Sequence, residues 1–365
     1  MINANTRALH ALGQSLWLDN ITRDMLDDGT LARYIAELSV TGLTSNPTIF
    51  EHAIGHGTAY DAQIGELAHA GRSGEDLFFA LARQDLARAA DLLQPAHDAS
   101  NGVDGWVSLE VSPQLVDDTA RTTESVARLH AAAARPNVFI KIPGTPAGVQ
   151  AIEDSVFAGI PINVTLLFSR AQYLAAAEAY LRAIERRLEA GRDPKVRSVA
   201  SLFVSRWDVA VKDQVPPEQR NRLGVAIAKQ TYKAYRELLA SPRWTRLREA
   251  GAQPQRLLWA STGMKDPAAR DTLYVETLAA PDTIDTIPDK TLLAFADHGR
   301  LGALLPEDGG DAEATVAEFA RLGIDIDALA LRLQKEGGEA FSKSWQSLLD
   351  GIRAKSEQLA GAESR

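Results

Sequence analysis

Three ionisable residues lie inside short apolar segments, where soluble proteins seldom place charge: Asp19 in LWLDN, Glu110 in GWVSLEV and Lys141 in NVFIKIP. A charged side chain in such a run must snorkel to water, pair with an opposite charge or work in its neutral form. For Lys141 the ordinary reading is a strand-end lysine that reaches solvent or pairs with an acid. The alternative is a desolvated amine acting as a nucleophile, as Schiff-base chemistry on a carbonyl requires. Glu110 alone reads as an ion-pair partner, and Asp19 alone as a cap on the segment that follows it. Asn163 and Thr165 in IPINVTLLF, taken singly, read as polar filling. Brought together, one lysine, two carboxylates and a group of hydroxyls and amides could move protons around a carbonyl group.

The elements that would have to position these residues are eight apolar or β-rich segments: 16–19, 40–46, 105–111, 137–143, 160–168, 196–204, 255–262 and the weaker 282–287. Amphipathic helical patterns separate them. The clearest runs from Ala171 to Ala190, with Tyr173, Ala177, Tyr180, Ile184 and Leu188 on one face, Ser169 as N-cap and Gly191 as its stop. Strands alternating with helices over an unbroken chain predict one (β/α)₈ TIM barrel over residues 1–365. An N-terminal helix and a tail from about Thr315 would be additions to it. A doubly wound sheet is the fallback, but it would place a glycine-rich turn after its first strand, and LWLDNITRD has none.

Side chains two apart on a strand share a face. Ile162, Val164, Leu166 and Phe168 then form one apolar set, with Asn163 and Thr165 opposite. Ser108 and Glu110 oppose Val107, Leu109 and Val111, and Lys141 shares the face of Phe139. Thr44 goes with Asn46, Ser201 with Phe203, and Trp259 with Ser261. The polar groups fall late in their strands, at the end of the barrel where enzymes of this fold build their sites.

Composition narrows the chemistry. The net charge of −9 argues against general binding to nucleic acid or anionic membrane, while leaving room for a small anionic substrate. The absence of cysteine excludes disulfides, thiol catalysis and thiolate-bound metals. No signal-peptide pattern opens the sequence and no apolar run approaches the roughly 18 residues of a membrane span, so the expectation is a soluble cytoplasmic protein. Among the seven histidines only His52 and His56 have the spacing of a helical metal pair. They lack the glutamate of HExxH and read as a solvated loop or helix start, so no metal is expected.

TGLTSNPTIF (41–50), SLEVSP (108–113), VFIKIPGT (138–145), GIPINVTLLFSRAQY (159–173), VASLFVSRWD (199–208) and LLWASTG (257–263) occur in this order. Together with YVETLAAPDTIDTIP and KTLLAF they make the chain resemble the transaldolase family in its longer bacterial branch. The resemblance implies a barrel of the class I aldolase type working without cofactor. Lys141 would form a Schiff base with the donor ketose, and Glu110 and Thr165 would hold the water that shuttles protons. Asp19 would take the proton of the C4 hydroxyl as the C3–C4 bond breaks. Asn46, Asn163 and Ser201 would bind hydroxyls of the dihydroxyacetone unit, while Arg206 and Ser261 would hold the phosphate.

The implied reaction carries a three-carbon unit from sedoheptulose 7-phosphate to glyceraldehyde 3-phosphate in the pentose phosphate pathway. Its partners would be small sugar phosphates, with monomer and homodimer both left open. One departure from the family pattern is Gly263, where members often carry a second cation; Lys265 is the candidate to supply that charge. The nearest rival is a fructose-6-phosphate aldolase releasing free dihydroxyacetone. Those shorter relatives have a tyrosine at the position of Phe203 and a glutamine at that of Glu110. A catalytically inert barrel that only binds ligands would be expected to lack Lys141, Glu110 or Asp19. The acidic loop and helices after about residue 304 would either cover the barrel mouth or form a subunit contact.

Overall fold

A computed structural model describes residues 2–363. Eight parallel strands close a barrel in sequence order: β1 (Ser15–Leu18), β2 (Val40–Thr44), β3 (Trp106–Glu110), β4 (Val138–Pro143), β5 (Ile162–Leu167), β6 (Ser198–Phe203), β7 (Gln255–Ala260) and β8 (Thr283–Ile287). Each lies within one of the eight apolar segments or overlaps it closely, because only those runs can be buried on both faces. Helices cover the outside, giving a (β/α)₈ barrel with added helices at both ends of the chain. None of the described helices is long and apolar enough to cross a membrane.

Strand parity sorts the core into two layers. Leu16, Leu18, Val107, Leu109, Ile140, Ile142, Ile162 and Val164 pack outward against the helices. Trp17, Trp106, Phe139, Val199, Leu258 and Ile284 belong to a second cluster. There Trp106 stacks on Phe139 with ring centroids 4.1 Å apart, and Trp17 lies 6.0 Å from Phe139. Gly42 makes room for this plug, since a Cβ there would lie 2.5 Å from the Trp17 indole nitrogen. Overpacking at such a contact costs typically 1–3 kcal/mol. Gly42→Ala is therefore expected to lower unfolding free energy by about that amount in urea titrations, with no change in the residues that line the mouth.

The expected parity fails at two positions, both in the left-handed region that few side chains adopt: Leu166 at φ 59° and Ser261 at φ 58°. The β5–β6 register slips between Val164 and Leu167, so Leu167 takes the helix-facing place. Leu166 and Phe168 then leave the face of Ile162 and Val164, and the Phe168 ring lies 5.3 Å from that of Phe203. Trp259 and Ser261 likewise do not share a face. Trp259 packs on the helix side, near Tyr232, while Ser261 turns to the cavity at the barrel mouth. The Leu166 carbonyl accepts a hydrogen bond from Gln334 Nε2 at 2.9 Å.

The helix foreseen after Ser169 spans Arg170–Glu189, with the Ser169 hydroxyl accepting from the Gln172 amide at 3.2 Å and Gly191 left-handed beyond its end. The tail resolves into the helices Ala312–Arg321 and Ile326–Glu363. The longer one lies along the helix Pro47–His56, where Thr48 donates to Ser344 Oγ at 2.9 Å. Trp345 Nε1 donates to Glu75 at 2.9 Å, and Lys355 binds Asp61. This helix also brings Phe341 to the cavity, so the tail covers one side of the barrel mouth.

Candidate active site

At the C-terminal ends of the strands opens a cavity of about 480 Å³. Its wall includes Asp19, Asn46, Lys141, Thr165, Ser201, Phe203, Arg206 and Ser261. These residues come from the ends of β2 and β4 to β7 or from the residues directly after β1 and those strands, with Arg206 in the helix Ser205–Val211 that follows β6.

Lys141 sits at the floor, 5% exposed. Its ammonium donates to Glu110 Oε2 at 3.1 Å and to the Ser45 carbonyl at 3.0 Å. Register explains the pair, because Glu110 and Lys141 are direct partners between β3 and β4, and Lys141 and Asn163 between β4 and β5. Burial pushes the Glu110 carboxyl above its ordinary value, with the Asp19 charge adding to the rise and Lys141 opposing it. A carboxylate so placed is a ready proton acceptor, and the hydrogen bond from Lys141 Nζ aims the ammonium at it. Only the free amine of a lysine attacks a carbonyl, so a partner able to take its proton stands in contact with it.

Asp19 stands across the cavity, accepting from Thr44 Oγ1 at 2.9 Å, while Thr44 and Thr286 hydroxyls are 2.6 Å apart. Removal from water again raises its carboxyl, against the attraction of Lys141 and the Thr44 hydroxyl. Both carboxylates are pushed in the same direction, and they differ in reach: Asp19 lines the cavity, whereas Glu110 lies behind Lys141.

Asn163 is also behind the wall. It donates to Ser108 Oγ at 3.1 Å and accepts from Ser201 Oγ at 2.7 Å, which aligns Ser201 at the cavity. The Thr165 hydroxyl is buried without a hydrogen-bond partner among the described residues. Asn46 caps the helix Pro47–His56 through Oδ1, accepting from the Ile49 amide at 3.1 Å, which leaves its amide donors for other contacts. Ser261 and Ser205 hydroxyls lie 2.8 Å apart beside Arg206. Lys265 is exposed and is not part of the cavity wall, although its charge reaches Asp19.

Several residues of the site escaped sequence reasoning. Asn20, Thr22, Thr286 and Phe341 line the cavity, and His52 does so from the helix Pro47–His56. The His52 and His56 rings stack at 4.5 Å, and no group of three metal-capable side chains occurs among the described residues. Asn20 is oriented by a hydrogen bond to Asp289. The most informative omission is Asp285, a fully buried acid in β8 that accepts from Thr262 Oγ1 at 2.8 Å. The rule that singled out Lys141, charge inside a strand, applies to it equally.

Burial pushes the Asp285 carboxyl up to about 7, aided by the Asp19 charge and opposed by Thr262. Between its ordinary value of 3.8 and about 7 the unfolded chain ionises while the folded chain keeps its proton. The contribution of this residue to stability is therefore full below that window and lost as pH rises through it, by up to about 4 kcal/mol. Asp285→Asn removes the titration. Its stability relative to the parent should rise between pH 4 and pH 8, and urea unfolding at both values would show this; a constant difference would contradict it.

A closed parallel barrel with a buried amine–carboxylate pair under a polar cavity at its C-terminal mouth is the architecture of a barrel enzyme equipped for carbonyl chemistry. The family model for transaldolase/fructose-6-phosphate aldolase matches residues 16–352, and the chain belongs to that family. It is 46% identical over 355 residues to a transaldolase of Thiobacillus denitrificans, covering 95% of this chain and 99% of that protein. A transaldolase of Parafrankia is 45% identical over 365 residues, covering 98% of each, and one of Neisseria gonorrhoeae 43% identical over 340 residues, covering 93% and 97%.

Proposed function

We propose that this chain is a transaldolase, transferring a dihydroxyacetone unit from sedoheptulose 7-phosphate to glyceraldehyde 3-phosphate through a Schiff base on Lys141. The observation that carries the reading is the 3.1 Å contact between a buried Lys141 and a buried Glu110 at the floor of the cavity. Glu110 accepts the ammonium proton; with Thr165 it then serves the water that is lost and regained as the carbinolamine dehydrates and the iminium hydrolyses. The iminium draws electrons from C3, so the bond to C4 breaks as Asp19 takes the C4 hydroxyl proton and an enamine remains. Ser201 and Asn46 bind hydroxyls of the three-carbon unit, with Asn163 fixing Ser201. Arg206 and Ser261 hold the phosphate, the guanidinium offering a two-pronged contact. Both substrates are soluble sugar phosphates, and a cytoplasmic setting fits them.

Transfer rather than release requires the enamine to outlast the first product. Phe203, packed on Phe168, gives the cavity an apolar wall that restrains water near the intermediate. The test omits the acceptor: with fructose 6-phosphate alone, free dihydroxyacetone should appear far more slowly than transfer proceeds once erythrose 4-phosphate is added. Rapid, sustained release would identify an aldolase instead.

Lys265 supplies a second positive charge at the rim. Lys265→Ala should raise KM for phosphorylated sugars more than for unphosphorylated ones, and equal effects would remove it from the phosphate site. Because the lysine is exposed, the expected factor is modest, about two- to fivefold.

A further inference from the structure

Thr286 lies near the end of β8, buried, with its side chain on the cavity wall. In the closed barrel β1 stands between β8 and β2, and Thr286 is the direct partner of Trp17 in β1. Its hydroxyl reaches past β1 to that of Thr44 in β2, 2.6 Å away, and Thr44 Oγ1 donates to Asp19 Oδ1 at 2.9 Å. The end of β8 also holds the backbone of Asp19, whose amide donates to the Ile287 carbonyl at 2.9 Å. Thr286 is fixed in turn from the turn after β7. There Thr262 Oγ1 bonds both Asp285 Oδ1 at 2.8 Å and the Thr286 carbonyl at 3.2 Å.

Counting protons gives this chain of hydroxyls a direction. An ionised carboxylate only accepts, and a hydroxyl has one proton to donate. With Asp19 ionised, the Thr44 proton is committed to Oδ1, so the bond between the two threonines is donated by Thr286. Hydrogen bonds in such a chain polarise one another, and a donor behind Thr44 strengthens the bond that Thr44 gives. Engaging Oδ1 leaves Oδ2 as the oxygen that can receive a proton.

We propose that Thr286 is a positioning residue for transfer: acting through Thr44, it turns that hydroxyl onto Asp19 Oδ1 and keeps Oδ2 for the proton of the C4 hydroxyl. The proposal rests on the reading of Asp19 as the base of a transaldolase. Burial, and more weakly Asp289, raise the Asp19 carboxyl against Lys141, the Thr44 hydroxyl and Lys265. The Asp19 charge adds to the burial that raises Glu110 and Asp285, and His52 and Arg206 are the other ionisable groups on the cavity wall. Among the described residues none of these groups bonds the Thr286 hydroxyl, so its removal acts on Asp19 through Thr44.

Thr286→Val removes the donor with little change of shape. In transfer assays kcat should fall about five- to tenfold, while KM changes less than about twofold. The Thr44 bond lowers the Asp19 carboxyl, so weakening it should move the acid limb of the transfer profile up by about half a pH unit. The pH dependence of borohydride trapping on Lys141, which belongs to Glu110, should stay where it is. Thr286→Ser restores the hydroxyl and should return both readings to near the parent. Thr286→Ala should repeat the valine result, and it stands in if the valine variant does not fold. Thr44→Val should move the limb at least as far, and the double variant no further than Thr44→Val alone. An unmoved limb, a raised KM in its place, or effects of the two threonines that simply add would overturn the proposal. No fructose 6-phosphate adduct on Lys141 of the parent would overturn the transaldolase reading and this proposal with it, whereas an adduct together with an unmoved limb overturns this proposal alone.

Discussion

Lys141→Met should abolish transfer, lowering kcat/KM by about 10⁴ or more, while leaving a folded barrel. Methionine replaces the lysine stem with an unbranched chain of similar volume, so the floor stays filled. What disappears is the ammonium and with it the bonds to Glu110 and the Ser45 carbonyl. Abandoning a charge in a buried pair costs about 3–5 kcal/mol. Here Glu110 has a cheaper course, because burial already raises its carboxyl and it can hold a proton once Lys141 no longer opposes that. The stability loss should therefore fall below that range. Fructose 6-phosphate with borohydride should leave a reduced three- or six-carbon adduct on Lys141 of the parent, located by peptide mass spectrometry, and none on the variant. Residual transfer above about one-hundredth of the parent rate would place the nucleophile elsewhere.

The barrel was legible because its strands are short apolar runs punctuated by amphipathic helices, and burial on both faces demands such runs. Lys141, Glu110 and Asp19 stood out as charges within those runs. Parity carried the reading from residue to face as long as the backbone stayed extended. It broke at Leu166 and Ser261, where a left-handed residue turns the following side chains to the other side. Neither position is glycine or asparagine, so nothing in the residue types announced the turn. Asp285 was missed for another reason: DTIDTI has too little apolar contrast to reveal which positions are buried. Phe341 depends on the long C-terminal helix lying along Pro47–His56, a packing choice between distant segments that local pattern does not encode. Lys265 shows a further limit: sequence proximity to Ser261 places it near the mouth but says nothing of which way an exposed loop side chain turns.

The second large effect separates the two carboxylates by reaction step. Asp19→Asn keeps an acceptor for the Thr44 hydroxyl, so the side chain should hold its place against the Thr44–Thr286 pair. It removes the base, and transfer should fall by about 10² to 10⁴. Schiff-base formation does not use Asp19 in the proposed sequence, so borohydride should still trap fructose 6-phosphate on Lys141 at a rate near that of the parent. Glu110→Gln should show the converse, with slow trapping, because the acceptor of the ammonium proton is gone. The pH profile adds a second discrimination. Both acids work as bases and both are held above their ordinary values, Asp19 above 3.8 and Glu110 above 4.5. The parent should therefore lose activity on the acid side at a pH higher than free carboxylates would dictate, as each base takes up its proton. If Asp19 governs that limb, the residual rate of Asp19→Asn should be flat across it while trapping on Lys141 still falls with the protonation of Glu110. Equal pH dependence of trapping and transfer in the variant would mean that one carboxylate, not two, controls both steps.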